Sequence, residues 1–189
     1  MRKAIETLKN IWKIEDLRQR ILITILFVAI YRFGSYVVLP GINPAMLAKL
    51  HEQTSEGLLA LLNMFSGGAF SNASIFALGI MPYISASIVI QLLGIAVPYF
   101  QKLQREGESG RTKLNQYTRY LTVIILLMQG PAYLVNLKVQ MGSALFPSGW
   151  LFIVSSTIVL AAGSMFIMWL GERITDKGIG NGISFIIIV

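Results

Sequence analysis

The sequence contains no cysteine and a single histidine, His51. Disulfides, thiol nucleophiles and thiolate metal sites are therefore excluded, and the redox compartment is left unreadable. His51 has no second ligand in reach and reads as a solvated residue without a metal role. Charge is also scarce. Asp, Glu, Lys and Arg make up 13% of 189 residues, against about 25% in a soluble domain. With 54% hydrophobic residues and a mean hydropathy of +0.65, the chain reads as an integral membrane protein. No Ser/His/Asp or Cys/His set, His-rich ligand cluster or pair of intramembrane carboxylates occurs. The chain is thus expected to have no catalytic residues and no cofactor, and a proton- or ion-coupled pump has little to work with.

The charges that are present lie in a pattern. Thirteen of the 16 Lys and Arg fall within residues 1–20, within residues 102–119, or at Arg173 and Lys177. These places alternate with apolar runs, as loops on one side of a bilayer do. By the positive-inside rule they are cytoplasmic, and so is the N-terminus. The net charge of +7 then reports orientation in the membrane, with no direct nucleic-acid readout.

The longest uncharged run, Gly57 to Gln101, organises the rest. One helix of that length would far exceed a hydrocarbon core about 30 Å thick. Its middle, Ser66-Gly67-Gly68 and Ser71-Asn72-Ala73-Ser74, is small, polar and helix-weakening. The division that fits is a short apolar segment, a Gly/Ser/Asn break, and a span over residues 75–97. Two readings of the short segment stand: a half-helix that enters the membrane and turns back, or an amphipathic helix outside it. Broken backbone at membrane depth is tolerated only where protein or a watery cavity surrounds it, so the first reading points to a transport path.

Residues 1–20 read as a cytoplasmic amphipathic segment, with Leu8 and Trp12 at i,i+4. Span 1 covers 21–39 and holds Arg32, which is expected to snorkel at the outer end. A polar outer segment follows at 45–56. Residues 98–119 read as a cytoplasmic loop, in which Glu106-Gly107-Glu108-Ser109-Gly110-Arg111 is either a solvated hairpin or a grip for a cytosolic partner. Span 3 covers 120–137, with a kink expected at Pro131. Span 4 covers 150–170, with Trp at both ends and a small patch, Ala161-Ala162-Gly163-Ser164, suited to close helix contact. Gly178-Ile179-Gly180-Asn181-Gly182 lacks the phosphate-loop spacing. It reads as a flexible helix start or a close-packing site. Residues 178–189 begin a fifth span too short to cross, so the chain is expected to be part of a longer polypeptide.

At 100° per residue, Ile80, Ile84, Ser87 and Gln91 share one helix face, apolar toward mid-membrane and polar toward the cytoplasm. Ile179, Ile183 and Ile187 repeat the i,i+4 spacing. Ordinary packing accounts for such a stripe. So does a narrow dry constriction that gates by excluding water.

The segments Asn63 to Gly68, Ile75 to Ile88, Glu106 to Arg111 with Gln116 to Tyr120, and Met168 to Ser184 together resemble the SecY family of protein-translocation channel subunits. The resemblance covers essentially the whole chain, in order and with matching spacing. It implies an all-α polytopic fold: the first half of an inverted-repeat channel, with four full spans, a re-entrant plug helix and the start of a fifth span. It implies a pore ring at Ile80, Ile84, Ile183 and Ile187. It implies a plug within 58–71, covering Leu62, Asn63, Met64, Phe65, Ser66, Gly67, Gly68, Ala69, Phe70 and Ser71. Ser85, Ser87, Ile88 and Gln91 fall on the lateral gate and funnel, and Arg105, Glu106, Glu108 and Arg111 on a secondary cytoplasmic partner loop. The implied partners are the SecE and SecG subunits, the SecA ATPase or the ribosome, signal sequences and nascent polypeptides, and the lipid bilayer. The implied place is the bacterial cytoplasmic membrane. The alternative is a secondary transporter built on broken helices. Such a carrier would place polar groups at the midplane, where this sequence has Ile80 and Ile84.

Overall fold

The computed structural model describes residues 14–43, 57–141 and 149–188. The amphipathic segment expected in residues 1–20 falls outside them up to residue 13, as does the outer segment at 45–56. The side chains of Leu58 and Leu62 are outside them too. Seven helices make up the fold among the described residues: α1 (Glu15–Ser35), α2 (Gly57–Phe65), α3 (Met81–Ala96), α4 (Pro98–Arg105), α5 (Glu108–Met141), α6 (Trp150–Lys177) and α7 (Gly182–Ile188). No strand occurs among them, only one antiparallel bridge between Val38 and Ser74. Helices α5, from Glu108 to Val139, and α6 are long and apolar enough to cross a membrane. The pair α3 and α4 adds a third crossing if it is one broken span. In α1 the apolar run is bounded by Arg20 and Arg32, and the helix ends at Ser35.

The 100° bend between α3 and α4 has a local cause. Pro98 opens α4, and Val97 before it is extended, at φ −113° and ψ 122°. A residue preceding proline is pushed out of the helical region.

Four expectations need correction. Residues 98–119 are not loop: α4 and the start of α5 form a helical hairpin that turns at Gly107, where φ is +73°. The span expected from Ile75 becomes helical only at Met81, because residues 66–80 form turns with positive φ at Gly67, Gly68, Ala73 and Gly79. The segment Gly171 to Lys177 is the last part of α6 rather than a loop. Gly163 does not meet another helix closely. It stands against the backbone carbonyl of Ile75, where a Cβ would have no room.

That irregular segment lies at the centre of the fold. It supplies Phe70, Ala73 and Ala77 to one buried cluster, with Leu39, Tyr133 and Leu160. It supplies Ala69, Phe76 and Ile80 to a second, with Tyr31, Ile167 and Ile186. Its polar groups are met by protein, the condition for irregular backbone at membrane depth. Leu39 N–H donates to Ala73 O and Ile75 N–H to Val37 O, both at 2.9 Å. Tyr31 Oη donates to Ser66 O, and Tyr133 Oη to Phe70 O, again at 2.9 Å each.

Candidate functional site

Ile80 ends the irregular segment and caps α3, and the Ile84 N–H donates to its carbonyl at 3.1 Å. Ile183 and Ile187 lie one turn apart on α7. All four belong to the second apolar cluster. Their exposure separates them. Ile80 is 1% exposed and sits within the chain's own core. Ile84, Ile183 and Ile187 are half-buried and pack at its edge. The close approach that brings α7 here is made by glycine. Gly182 abuts the carbonyl of Gly171 on α6 with no space for a Cβ. Of the two readings of the glycine run, close packing is the one observed.

The helical stripe changes character along α3. Ile80 and Ile84 join the apolar cluster, while Ser87 and Gln91 line a cavity of about 530 Å³ with Gln104, Arg111, Asn115 and Thr118. Gln91 Nε2 donates to Ser87 Oγ at 3.2 Å. The four residues expected at the gate and funnel do not share one surface. Ser85 lines a separate cavity of about 270 Å³ beside Gln129, Tyr133 and Asn136, and Ile88 is exposed.

Within the segment expected to form a plug, two parts differ. Helix α2 leaves Leu61, Met64 and Phe65 exposed. Ser66, Ala69, Phe70 and Ser71 are buried. The boundary between them is a defined helix stop. Gly67 N–H donates to Met64 O at 3.1 Å and Gly68 N–H to Asn63 O at 2.9 Å, with Gly67 at φ +58°. That pairing is a Schellman cap, which needs a left-handed residue best supplied by glycine. Asn63 Oδ1 accepts from Ser71 N–H at 3.1 Å, and Ser66 Oγ from Phe70 N–H at 3.0 Å. Arg32, expected only to snorkel, donates from Nη1 to Gly67 O at 3.0 Å.

The residues expected to meet a cytosolic partner, Arg105, Glu106, Glu108 and Arg111, are all exposed at the helical hairpin. Glu106 approaches Lys113 at 4.0 Å. Nearby, Arg119 on α5 grips Glu172 on α6 through two bonds, Nη2 to Oε2 at 2.6 Å and Nε to Oε1 at 3.3 Å. This pair faces a cavity of about 300 Å³ that Tyr83 and Ile183 also line, so a polar vestibule adjoins the isoleucines. Among the described residues no His/Cys/Asp/Glu group has metal-binding geometry.

The clamps Tyr31, Arg32, Tyr133 and the pair Arg119/Glu172 are not evident from sequence alone. A weak signal existed for Arg32, since a charge inside an apolar run calls for a named partner. The tyrosines gave none, because their bonds join residues 35 and 63 apart in sequence.

The SecY family profile matches residues 74–189. The chain is 49% identical over 175 residues to the protein translocase subunit SecY of Escherichia coli strain K12, covering 91% of this chain and 39% of that one. It is 46% identical over 184 residues to that of Buchnera aphidicola subsp. Schizaphis graminum, covering 96% and 42%. With the Pseudomonas aeruginosa subunit it shares 48% over 174 residues, covering 92% and 39%. The chain spans about two-fifths of the length of these relatives. The family profile covers more than half of the chain, and the relatives are 46–49% identical over 91–96% of it; on these grounds the chain belongs to the SecY family.

Proposed function

We propose that the chain forms the first half of a protein-conducting channel in the bacterial cytoplasmic membrane, a passive conduit with its N-terminus in the cytoplasm. The observation that carries this reading is the convergence of Ile80, Ile84, Ile183 and Ile187, from the start of α3 and from α7, in one apolar cluster beside a polar vestibule. Branched aliphatic side chains at a constriction disfavour water, and an ion there would lose its hydration. They offer a passing polypeptide no charge or hydrogen-bond pattern to hold it. Ile84, Ile183 and Ile187 form the face of the constriction and Ile80 backs it from the core. A solute carrier would need polar groups in this cluster, and its members are apolar apart from Tyr31 and Tyr83.

In this reading α1, α3, α5 and α6 are the four spans, α2 and residues 66–71 the plug, and α7 the start of a fifth span. Ser85, Ser87, Ile88 and Gln91 face the lateral gate and funnel where signal sequences lodge. Arg105, Glu106, Glu108 and Arg111 supply secondary contacts for SecA or the ribosome, which bring the driving energy. SecE and SecG complete the complex. The test is photocrosslinking in a full-length channel carrying this sequence. A secretory precursor arrested in transit should crosslink to probes at Ile84 and Ile183 and not to one at Val154, an exposed position on α6. Equal labelling at all three would remove the path from this cluster.

A further inference from the structure

The two isoleucines on α7 are placed by a short connector, residues 178–181, that follows α6 and carries few side chains able to fix it. Its backbone is nevertheless fastened at each turn. The Thr24 hydroxyl, buried on α1, donates to Arg20 O at 2.8 Å and accepts from the Ile179 N–H at 3.1 Å. Gly178 lies directly beneath it: a Cβ there would stand 2.5 Å from Thr24 Oγ1. On the other side, Thr175 Oγ1 donates to Gly171 O and accepts from Gly182 N–H, both at 2.9 Å. Asn181 Oδ1 then receives the Ile183 N–H at 3.0 Å, capping α7. Of these fastenings, only Thr24 ties the connector to a different part of the chain, 155 residues away.

Resting on the channel reading above, we propose that Thr24 is a positioning residue that indexes α7, and with it Ile183 and Ile187, to α1. Thr175 and Asn181 fix the shape of the connector. Thr24 fixes where that shape sits. The Ile179 N–H is partly shielded from solvent, and a shielded donor without its acceptor is costly, so loss of this hydroxyl lets the connector seek another partner and carries α7 with it. Displacement of α1 is transmitted to the constriction by the same bond.

The test compares T24V, which keeps the side-chain shape and removes the hydroxyl, with T24S, which keeps the hydroxyl, in a full-length channel carrying this sequence. Spin labels on L22C and I188C, both at exposed positions, report the distance from α1 to α7. The sequence has no native cysteine to confuse the labelling. T24V should broaden or shift that distance and raise resting ion leak in proteoliposomes several-fold, up to about tenfold, the change in a two-state population when one partly shielded donor loses its acceptor. T24S should match the parent in both. Parent-like distances in T24V overturn the proposal, as does a T24S that behaves like T24V. A shifted distance without leak, in a channel that isoleucine substitutions do make leaky, overturns it too. If the isoleucine substitutions themselves do not leak, the seal reading falls and the distance alone decides the role of Thr24. Should T24V fail to assemble, T24A is read by the same two measurements.

Discussion

Arg32 on α1 donates from Nη1 to the carbonyl oxygen of Gly67, 3.0 Å away, at the residue where the cap of α2 turns left-handed. One residue earlier in each partner, Tyr31 donates to Ser66 O. The end of the short helix is therefore held by two consecutive side chains of the first helix. In the channel proposed above, α1 would be the element from which the stopper hangs.

R32Q should loosen this attachment. Its amide is shorter and uncharged, and charge-assisted hydrogen bonds are about twice as strong as neutral ones. Resting ion leak of the full-length channel should rise several-fold while the thermal midpoint moves little, because Arg32 is exposed. R32K should be intermediate. A leak unchanged in R32Q, measured in planar bilayers, would detach Arg32 from the closed state.

The two parts of the proposed plug segment should respond differently to deletion. Removing residues 60–65 takes away exposed α2 and should raise leak with folding retained. Extending the deletion to residue 70 also removes Ser66, Ala69 and Phe70, which are buried; Ser66 and Phe70 supply the carbonyls that Tyr31 and Tyr133 bind. Losing such packing and leaving phenolic groups unpaired costs several kcal/mol, on the order of 2–5. The longer deletion should be poorly expressed. Equal expression of both, by quantitative immunoblot, contradicts the division.

The Arg119–Glu172 pair joins α5 to α6 in fork geometry, with side chains 48% and 26% exposed. Partly exposed pairs contribute roughly 0.5–1 kcal/mol. A double-mutant cycle with R119A and E172A, followed by thermal unfolding in detergent, should give coupling of about that size, reduced in high salt. Coupling near zero would leave the pair as a surface contact with no part in shaping the vestibule.

Reporter fusions test orientation. If the basic clusters are cytoplasmic, as the positive-inside rule predicts, fusions after residues 20, 110 and 175 should read cytoplasmic and those after residues 50 and 143 external. A fusion after residue 110 that reads external would remove the division of the uncharged stretch into a turned-back segment and a span.

What could be read from the sequence follows its periodic and compositional signals. The helical class, the apolar lengths of α5 and α6 (120–137 and 150–170) and the break after Phe65 are legible because apolar runs and Gly/Ser clusters are local. The i,i+4 pairs Ile80/Ile84 and Ile183/Ile187 were legible for the same reason, and the fold brings them together. Three kinds of feature were not. Helices at 98–105 and 108–119 were read as loop because polar, charged sequence there hides helix stabilised by packing: Gly110 sits directly on the Leu103 carbonyl. Gly67-Gly68 reads from composition only as a break, since composition does not distinguish freedom from a Schellman cap that uses glycine's left-handed backbone. The difference between Ile80 and its three companions depends on tertiary burial, and periodicity alone is blind to it.

The measurement that tests the central claim most directly is ion leak through the full-length channel after serine substitution of the isoleucines. I84S, I183S and I187S together should wet the constriction and raise resting conductance at least about tenfold, with modest loss of stability because these side chains are half-buried. I80S should also leak, and should destabilise by about 2–4 kcal/mol because that residue is fully enclosed. Serine at the exposed Ile88 and Val89 should leave conductance near the parent. If the two sets leak equally, or neither leaks, the isoleucines are ordinary helix packing and the seal lies elsewhere.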